Sequence, residues 1–278
     1  MAFKPRQISP IGRVEMAELH GKACEYRFKR GLPLMPPANG SDTVHFFNCE
    51  NIDSCIVTDG FPDIYIEATF SRWDVAQQFT AIACTTGPRM EVRVLTPQGL
   101  GSPDNLFTHT IFDFTTFPPR DQAFIASEIY RTLKPGGTAM AMFWAHQPQV
   151  DALKHAHFRT RGMDGPMVFI SPLEGITEGK VREILLAAGF KPDGIKFVEK
   201  EVFVPVPDMK RYAQLAWSCR GHLVGGQWLP DDELRWDEAV DDIVEQLEGG
   251  NNTYKPPSGG KFIRSIACFA LATKPTNL

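Results

Sequence analysis

Ile129-Tyr-Arg-Thr-Leu-Lys-Pro-Gly-Gly-Thr-Ala-Met-Ala-Met-Phe-Trp-Ala-His146 joins the end of a predicted helix to a predicted buried strand. The helical pattern begins at Gln122 with apolar residues on one face, and Lys134-Pro-Gly-Gly137 ends it with a basic last turn, a proline and glycine. Thr138 to Trp144 is apolar on both faces, which is typical of a central strand covered by helices on each side. The segment therefore predicts an open, mostly parallel α/β sheet.

This helix, turn and strand resemble the junction between the fourth and fifth strands of class I S-adenosylmethionine (SAM)-dependent methyltransferases. Pro103-Asp-Asn-Leu-Phe107 is similar to that family's lead-in to its fourth strand, and three later segments resemble helices of its fungal small-molecule members: Ala152 to Gly162, Asp208 to Trp217 and Trp236 to Val244. The resemblance covers roughly residues 43 to 273. It implies a Rossmann-like α/β fold with an open seven-stranded sheet, mostly parallel with an antiparallel last strand, plus a helical cap.

Length, composition and charge narrow the class of protein to which the chain can belong. The 278 residues are 43% hydrophobic and 22% charged, with a net charge of −4. These values fit one large soluble domain or a domain with a smaller cap, and they argue against a nucleic-acid partner. The sequence has no signal-peptide pattern and no apolar run of about 20 residues, so we expect a cytoplasmic protein without a membrane partner. Six scattered cysteines support neither a disulfide framework nor a metal site.

We divide the chain into two parts by pattern. Residues 1 to 40 hold a helical segment, Val14 to Phe28, followed by a proline- and glycine-rich connector, and they form a predicted N-terminal arm or lid. Residues 41 to 278 form the predicted methyltransferase-like domain, with a helical insert on the substrate side at about 205 to 250. A surface helix with a linker is the alternative for the arm.

The segment after the first predicted strand, Thr43 to Asn48, departs from the family. The resemblance implies a glycine-rich loop there, because bare backbone lets the cofactor lie close to a helix N-terminus. The sequence instead reads Asn48-Cys-Glu-Asn-Ile-Asp53, without glycine. We expect its side chains to project into the cofactor space, with Glu50 and Asp53 adding negative charge.

Two further cofactor contacts are also replaced. The resemblance implies a carboxylate for the ribose hydroxyls after the second strand, where Thr69 stands, and another acidic residue after the third strand, where Thr96 stands. Glu67 lies two residues before Thr69 and would be misplaced by about 6 to 7 Å. Losing these contacts predicts that SAM affinity falls from micromolar to millimolar or worse. We therefore expect no cofactor, with SAM as the alternative.

Residues for other chemistry are predicted where the fourth and fifth strands end, because ligands bind at the carboxyl ends of strands in open α/β sheets. Asp113, Trp144 and His146 fall there, and His157 lies one helical turn from Arg161. Asp113, His146, His157 and Arg161 are the candidate catalytic residues. The candidate apolar lining is Phe112, Phe114, Trp144, Trp217 and Trp228. The alternative is that the histidines are surface or capping residues and the tryptophans belong to the core.

Three functions remain open at this point. The first is an enzyme of natural-product biosynthesis that closes a ring, isomerises or dehydrates an apolar small molecule without a methyl donor, because holding a flexible substrate folded supplies much of the rate. The second is a SAM-dependent small-molecule methyltransferase. The third is a non-catalytic protein that binds a partner methyltransferase or a metabolite. The sequence leaves open whether the chain forms a homodimer.

Overall fold

The computed structural model describes residues 13–49, 64–86, 90–96, 99–117, 119–165, 176–219 and 229–276. Within these ranges the chain divides into two compact units. The sheet unit is drawn from Arg27–Ala145, Gly175–Lys200 and Ala267–Leu278, and the helical unit from Met1–Tyr26, His146–Glu174 and Glu201–Ile266. Across the described residues, every helix is too short or too polar to cross a membrane.

The strands form one sheet in the order β3-β2-β1-β4-β5-β8-β6, with β7 paired to β8. Their bounds are Thr43–Phe47 (β1), Tyr65–Phe70 (β2), Met90–Val94 (β3), Phe107–Asp113 (β4), Leu133–His146 (β5), Ile195–Pro205 (β6), Thr253–Tyr254 (β7) and Phe262–Thr273 (β8). The first five strands pair in parallel. This arrangement confirms the predicted α/β fold.

The carboxyl-terminal strands run antiparallel to their neighbours. At one end of β8, Lys274 accepts a hydrogen bond from the Gly136 amide and donates one to the Gly137 carbonyl. At the other end, the Val206 amide donates to the Lys261 carbonyl. Within the described ranges the sheet has eight strands where the sequence predicted seven, because the two-residue β7 pairs with the first residues of β8.

The helices are Arg13–Met16 (α1), Lys22–Gly31 (α2), Trp73–Thr86 (α3), Pro119–Thr132 (α4), Pro148–Arg161 (α5), Glu178–Ala188 (α6), Met209–Cys219 (α7), Pro230–Leu234 (α8) and Trp236–Glu248 (α9). Two predicted helices are interrupted. A π-helical turn, Ala17–Gly21, separates α1 from α2. The sequence pattern predicts a single helix from Asp231 to Leu247, but Arg235 separates α8 from α9. The Arg235 guanidinium donates to the carbonyls of Arg159 and Thr160.

The segment Lys134 to Gly137 also differs from its prediction. It was expected to be a turn, but β5 begins at Leu133, directly after α4. The two backbone bonds to Lys274 explain this, because they pair the glycines with the end of β8. Thr138 to Trp144 is buried throughout, as predicted for a central strand.

Candidate functional site

The carboxyl ends of β1, β2, β4 and β5 lie at one edge of the sheet unit, because these strands are parallel neighbours. This edge is where ligands bind in open α/β sheets. The residues that follow β1, β2 and β4 are connected to one another by hydrogen bonds.

Asn48 is the residue directly after β1, and its side chain spans the gap between the ends of two other strands. Its amide oxygen accepts hydrogen bonds from the Ser71 amide and the Ser71 hydroxyl, each at 2.9 Å, just after β2. Its amide nitrogen donates to Thr116 Oγ1 at 2.7 Å, just after β4. Asn48 is 1% exposed and has a φ of +51°, a left-handed conformation that favours glycine and tolerates asparagine. An asparagine side chain therefore occupies the position where the resemblance to methyltransferases implied a glycine.

Asp113 continues these contacts beyond β4. Thr116 Oγ1 donates to the Asp113 carbonyl at 2.8 Å, so Asn48 is linked to Asp113 through one hydroxyl. One carboxylate oxygen of Asp113 accepts hydrogen bonds from the amide and hydroxyl of Thr115, which fixes the turn Phe114–Thr116. The other carboxylate oxygen accepts from Arg27 Nη2. Asp113 therefore has both carboxylate oxygens engaged.

Arg27 is a site residue that sequence reasoning missed. The basic cluster of α2 suggests a solvated helix face, yet Arg27 is 1% exposed and forms a buried ion pair with Asp113. Its guanidinium carbon lies 4.9 Å from the ring centroid of Trp144 near the end of β5, which is a cation–π distance. The only available signal was the position of Arg27 next to Phe28, which is also buried. Arg27 therefore contacts both Asp113 and Trp144, which are two of the predicted site residues.

The two threonines at the predicted carboxylate positions make other contacts. Thr69 is fully buried, and its hydroxyl lies 3.1 Å from Nε2 of His45 in the neighbouring strand. Thr96 is exposed and forms a bridge with Gly99. Neither position carries negative charge.

Glu67, the nearest acidic residue to Thr69, is also committed elsewhere. It accepts a hydrogen bond from Ser102 at 2.5 Å and lies 3.4 Å from Arg93. Burial raises the pKa of its carboxyl. His45, stacked 4.5 Å from the Phe107 ring, has its pKa lowered to about 3, chiefly by burial and further by Arg93.

The helical unit holds the other predicted polar residues. His146 is 40% exposed, and its Nδ1 lies 3.6 Å from Asp151. His157 is buried with its ring edge-on to Phe158. Arg161 forms a buried, two-pronged ion pair with Asp232 at the start of α8, with one contact at 2.8 Å. In the helical unit, Arg161 thus joins α5 to α8.

The remaining predicted residues are apolar or lie elsewhere. Phe114 is 1% exposed and packs in the core of the sheet unit, 6.1 Å from the Phe112 ring. Trp217 is fully buried in the core of the helical unit. Glu50, Asp53 and Trp228 lie outside the described residues. Among the described side chains, no group of three or more histidine, cysteine or acidic residues could hold a metal ion.

Comparison with known proteins gives the fold. No protein-family model and no curated protein matches the sequence. Solved structures do match: a protein from Bacillus halodurans assigned as a methyltransferase has a TM-score of 0.55 and 13% identity, covering 89% of this chain and 98% of its own. The YcgJ protein from Bacillus subtilis also has a TM-score of 0.55, with 11% identity over 90% of this chain and 98% of its own.

A third solved structure has a different printed activity. The [4+2]-cyclase SpnF has a TM-score of 0.52 and 16% identity, covering 91% of this chain and 82% of its own. Similarity at these identities carries information about architecture and not about chemistry. The chain therefore has the class I methyltransferase fold, which proteins with at least two kinds of assigned activity share.

Proposed function

We propose that the chain is an enzyme of natural-product biosynthesis that uses the methyltransferase fold for a reaction without methyl transfer. The reaction class is a cyclisation, pericyclic ring closure, isomerisation or dehydration of an apolar small molecule. The observation that carries this proposal is the line of contacts along the ligand-binding edge of the sheet. It runs from Ser71 through Asn48 and Thr116 to Asp113 and Arg27.

These residues do not fit an adenosyl cofactor. Asn48 has a buried side chain, held by three hydrogen bonds, at the position where the resemblance implies bare backbone beside the cofactor. Thr69 and Thr96 offer no carboxylate to the ribose hydroxyls or to the adenine. A ligand that must displace these bonds loses their free energy and leaves buried polar groups unpaired, at about 1 to 3 kcal/mol each. The expected affinity for SAM is therefore millimolar or weaker.

The chemistry that remains comes from this chain's own residues. Asp113 holds the Arg27 guanidinium beside the Trp144 ring in a buried setting. A guanidinium held in one orientation by a carboxylate can donate a hydrogen bond to an oxygen that gains negative charge in a transition state, such as a conjugated carbonyl. Phe114, which packs in the core, and Trp144 remain predicted substrate-binding residues, and His146, which is partly exposed, remains our candidate for proton transfer. The predictions for His157, Arg161 and Trp217 also remain predictions.

A SAM-dependent methyltransferase is the second candidate. It is favoured by the Bacillus halodurans structure, which is assigned to that activity and has the highest TM-score among the structures compared above, equal to that of YcgJ. The two candidates differ in one measurable property, the affinity for the demethylated cofactor S-adenosylhomocysteine.

Calorimetric titration of the full chain with S-adenosylhomocysteine tests the proposal. We expect no heat of binding at concentrations up to about 1 mM. The Asn48→Gly variant should bind more tightly than the wild type, because glycine opens the crevice and keeps the backbone conformation. Micromolar binding by the wild type would overturn the proposal and establish the methyltransferase reading. In parallel, linear apolar precursors incubated without cofactor should give products of unchanged mass, or of a mass reduced by water.

A further inference from the structure

A cavity of about 170 Å³ opens in the helical unit, and none of the candidate site residues described above lines it. Its apolar wall is formed by Leu19, Val206 and Leu215, each at most 4% exposed. An engineered apolar cavity of about 150 Å³ binds benzene. The cavity is therefore large enough for a single six-membered ring.

The walls of this cavity are built from unusual backbone. Leu19 lies in the π-helical turn Ala17–Gly21, and such turns are rare and frequently mark functional sites. Pro205 and Pro207 also line the cavity, where they flank Val206 and restrict the chain to extended conformations at the end of β6. The amide of Val206 is anchored to the Lys261 carbonyl at 2.8 Å. The cavity is thus bounded by a widened helical turn and a rigid segment.

The charged groups at the cavity balance one another. Glu18 lies 3.1 Å from Arg211, and the Asp208 carboxylate accepts the Arg211 amide hydrogen at 2.9 Å. Lys22 pairs with Glu25. The four charged residues in the lining, Glu18, Lys22, Asp208 and Arg211, sum to zero. The lining therefore favours a neutral ligand over an anion or a cation.

Tyr212 supplies the polar group for recognition. It lines the cavity, and burial raises the pKa of its phenol, so the hydroxyl is protonated at neutral pH and can donate a hydrogen bond. Among the described residues no hydrogen bond engages its hydroxyl, and the hydroxyl is not fully buried, so a ligand can reach it. A hydroxyl in such a position gains free energy when a ligand supplies an acceptor.

We propose that this cavity binds a neutral molecule with one ring and one hydroxyl or carbonyl oxygen, which accepts a hydrogen bond from Tyr212. The apolar ring would contact Leu19, Val206 and Leu215, and the oxygen would contact the phenol. This site is independent of the proposed reaction, because it uses none of the residues at the carboxyl edge of the sheet unit.

Binding of two matched probes to the full chain tests this site. p-Cresol carries a ring and a hydroxyl, whereas toluene has the same ring without the oxygen. Ligand-observed NMR and calorimetry should give p-cresol a dissociation constant of about 1 mM or below, and toluene should bind about tenfold more weakly. Tyr212→Phe should weaken p-cresol about tenfold and leave toluene unchanged. Tyr254→Phe, at an exposed tyrosine of the same unit, is the matched control and should change neither affinity.

Three results would overturn the proposal. The first is no p-cresol binding at about 10 mM. The second is a p-cresol affinity that Tyr212→Phe leaves unchanged. The third is an equal loss in the Tyr254→Phe control. Val204→Phe, which places a ring in the cavity wall, should abolish the binding of both probes. The comparison of Tyr212→Phe with Tyr254→Phe is sufficient to test the site. The test therefore remains valid even if Val204→Phe does not fold.

Discussion

Asn48 and Thr116 are joined by a 2.7 Å hydrogen bond that connects the residue after β1 to the turn after β4. The same asparagine holds Ser71 through its amide oxygen. Three strand ends are therefore tied by one side chain in a left-handed conformation. Asn48 therefore contributes to stability in two ways, through its side-chain hydrogen bonds and through its left-handed backbone conformation, and substitutions can measure each one.

Substitution of Asn48 should distinguish the hydrogen bonds from the backbone conformation. Asn48→Gly removes the bonds but suits the positive φ, and we expect it to lower the free energy of unfolding by about 1 to 3 kcal/mol. Asn48→Ala removes the same bonds and adds about 1 kcal/mol of left-handed strain. Urea unfolding of the wild type, Asn48→Gly and Asn48→Ala measures the free energy of the hydrogen bonds and that of the backbone strain. Equal stability of the glycine and alanine variants would contradict the left-handed conformation.

A double-mutant cycle should show that Arg27 and Asp113 act as a unit. Arg27→Met and Asp113→Leu each leave a buried charge unpaired, so each should cost about 3 to 5 kcal/mol, and the double variant should cost clearly less than their sum. The control is the exposed helical pair Glu178 and Arg182, whose coupling should be about 0.5 kcal/mol or less. Additive effects at Arg27 and Asp113 would show that the buried pair does not form.

His45 should make the protein less stable in acid. The unfolded chain protonates this residue below pH 6.5, whereas in the folded protein burial lowers its pKa to about 3. The unfolded state therefore binds more protons in that window, and His45 should remove about 2 kcal/mol of stability between about pH 7 and pH 5. Glu67 acts in the opposite direction above pH 4.5, because its pKa is raised.

The comparison of wild type with His45→Gln isolates this contribution, since Glu67 is present in both proteins. The stability difference between them, measured by urea unfolding, should shift in favour of the variant as the pH falls. A difference that is independent of pH would show that His45 is accessible to protons in the folded state.

Lys274 should be one of the most sensitive positions in the sheet unit. Its ammonium donates hydrogen bonds to Asn105 Oδ1 at 2.9 Å and to the carbonyls of Tyr130 and Leu133 at 2.8 Å each, which satisfies acceptors at and just after the end of α4. Lys274→Met keeps much of the volume but removes these bonds, so we expect a loss of about 2 to 4 kcal/mol in thermal or urea unfolding. Lys196→Met, at an exposed lysine, should change stability by about 0.5 kcal/mol or less. A similar effect of both substitutions would contradict this role.

The sequence predicted the strands well because their patterns are local. Phe262–Thr273 matches its predicted bounds, and β1, β3 and β4, predicted at 43–48, 90–95 and 107–112, each differ by one residue at one end. The second strand, predicted at 64–69, is shifted by one residue. The pattern also predicts a helix from Thr177 to Ala188, closed by Gly189. In the structure Thr177 caps α6 through its side chain, and Gly189 follows its last residue. The apolar pattern of a strand and the capping of a helix depend on residues that are close in sequence. Both can therefore be predicted from one sequence.

The contacts of the candidate site could not be predicted in the same way. The sequence indicated that a side chain at Asn48 would obstruct the crevice, but its bonds to Ser71 and Thr116 join residues 23 and 68 positions away. Arg27 and Asp113 are separated by 86 positions. An arginine in a charged helix is usually solvated, and only the pairing of that helix with the end of β4 makes it buried. The break at Arg235 likewise depends on carbonyls of a distant helix.

The position of β8 bears on how the protein is made. This strand is the last of the eight in the chain, yet it lies between β5 and β6 in the sheet. During synthesis on the ribosome, the edge of β5 therefore has no partner on that side until Phe262 to Thr273 has emerged. The nascent chain therefore exposes an apolar strand edge while residues 147 to 261 are being translated, and this edge is a surface to which chaperones can bind.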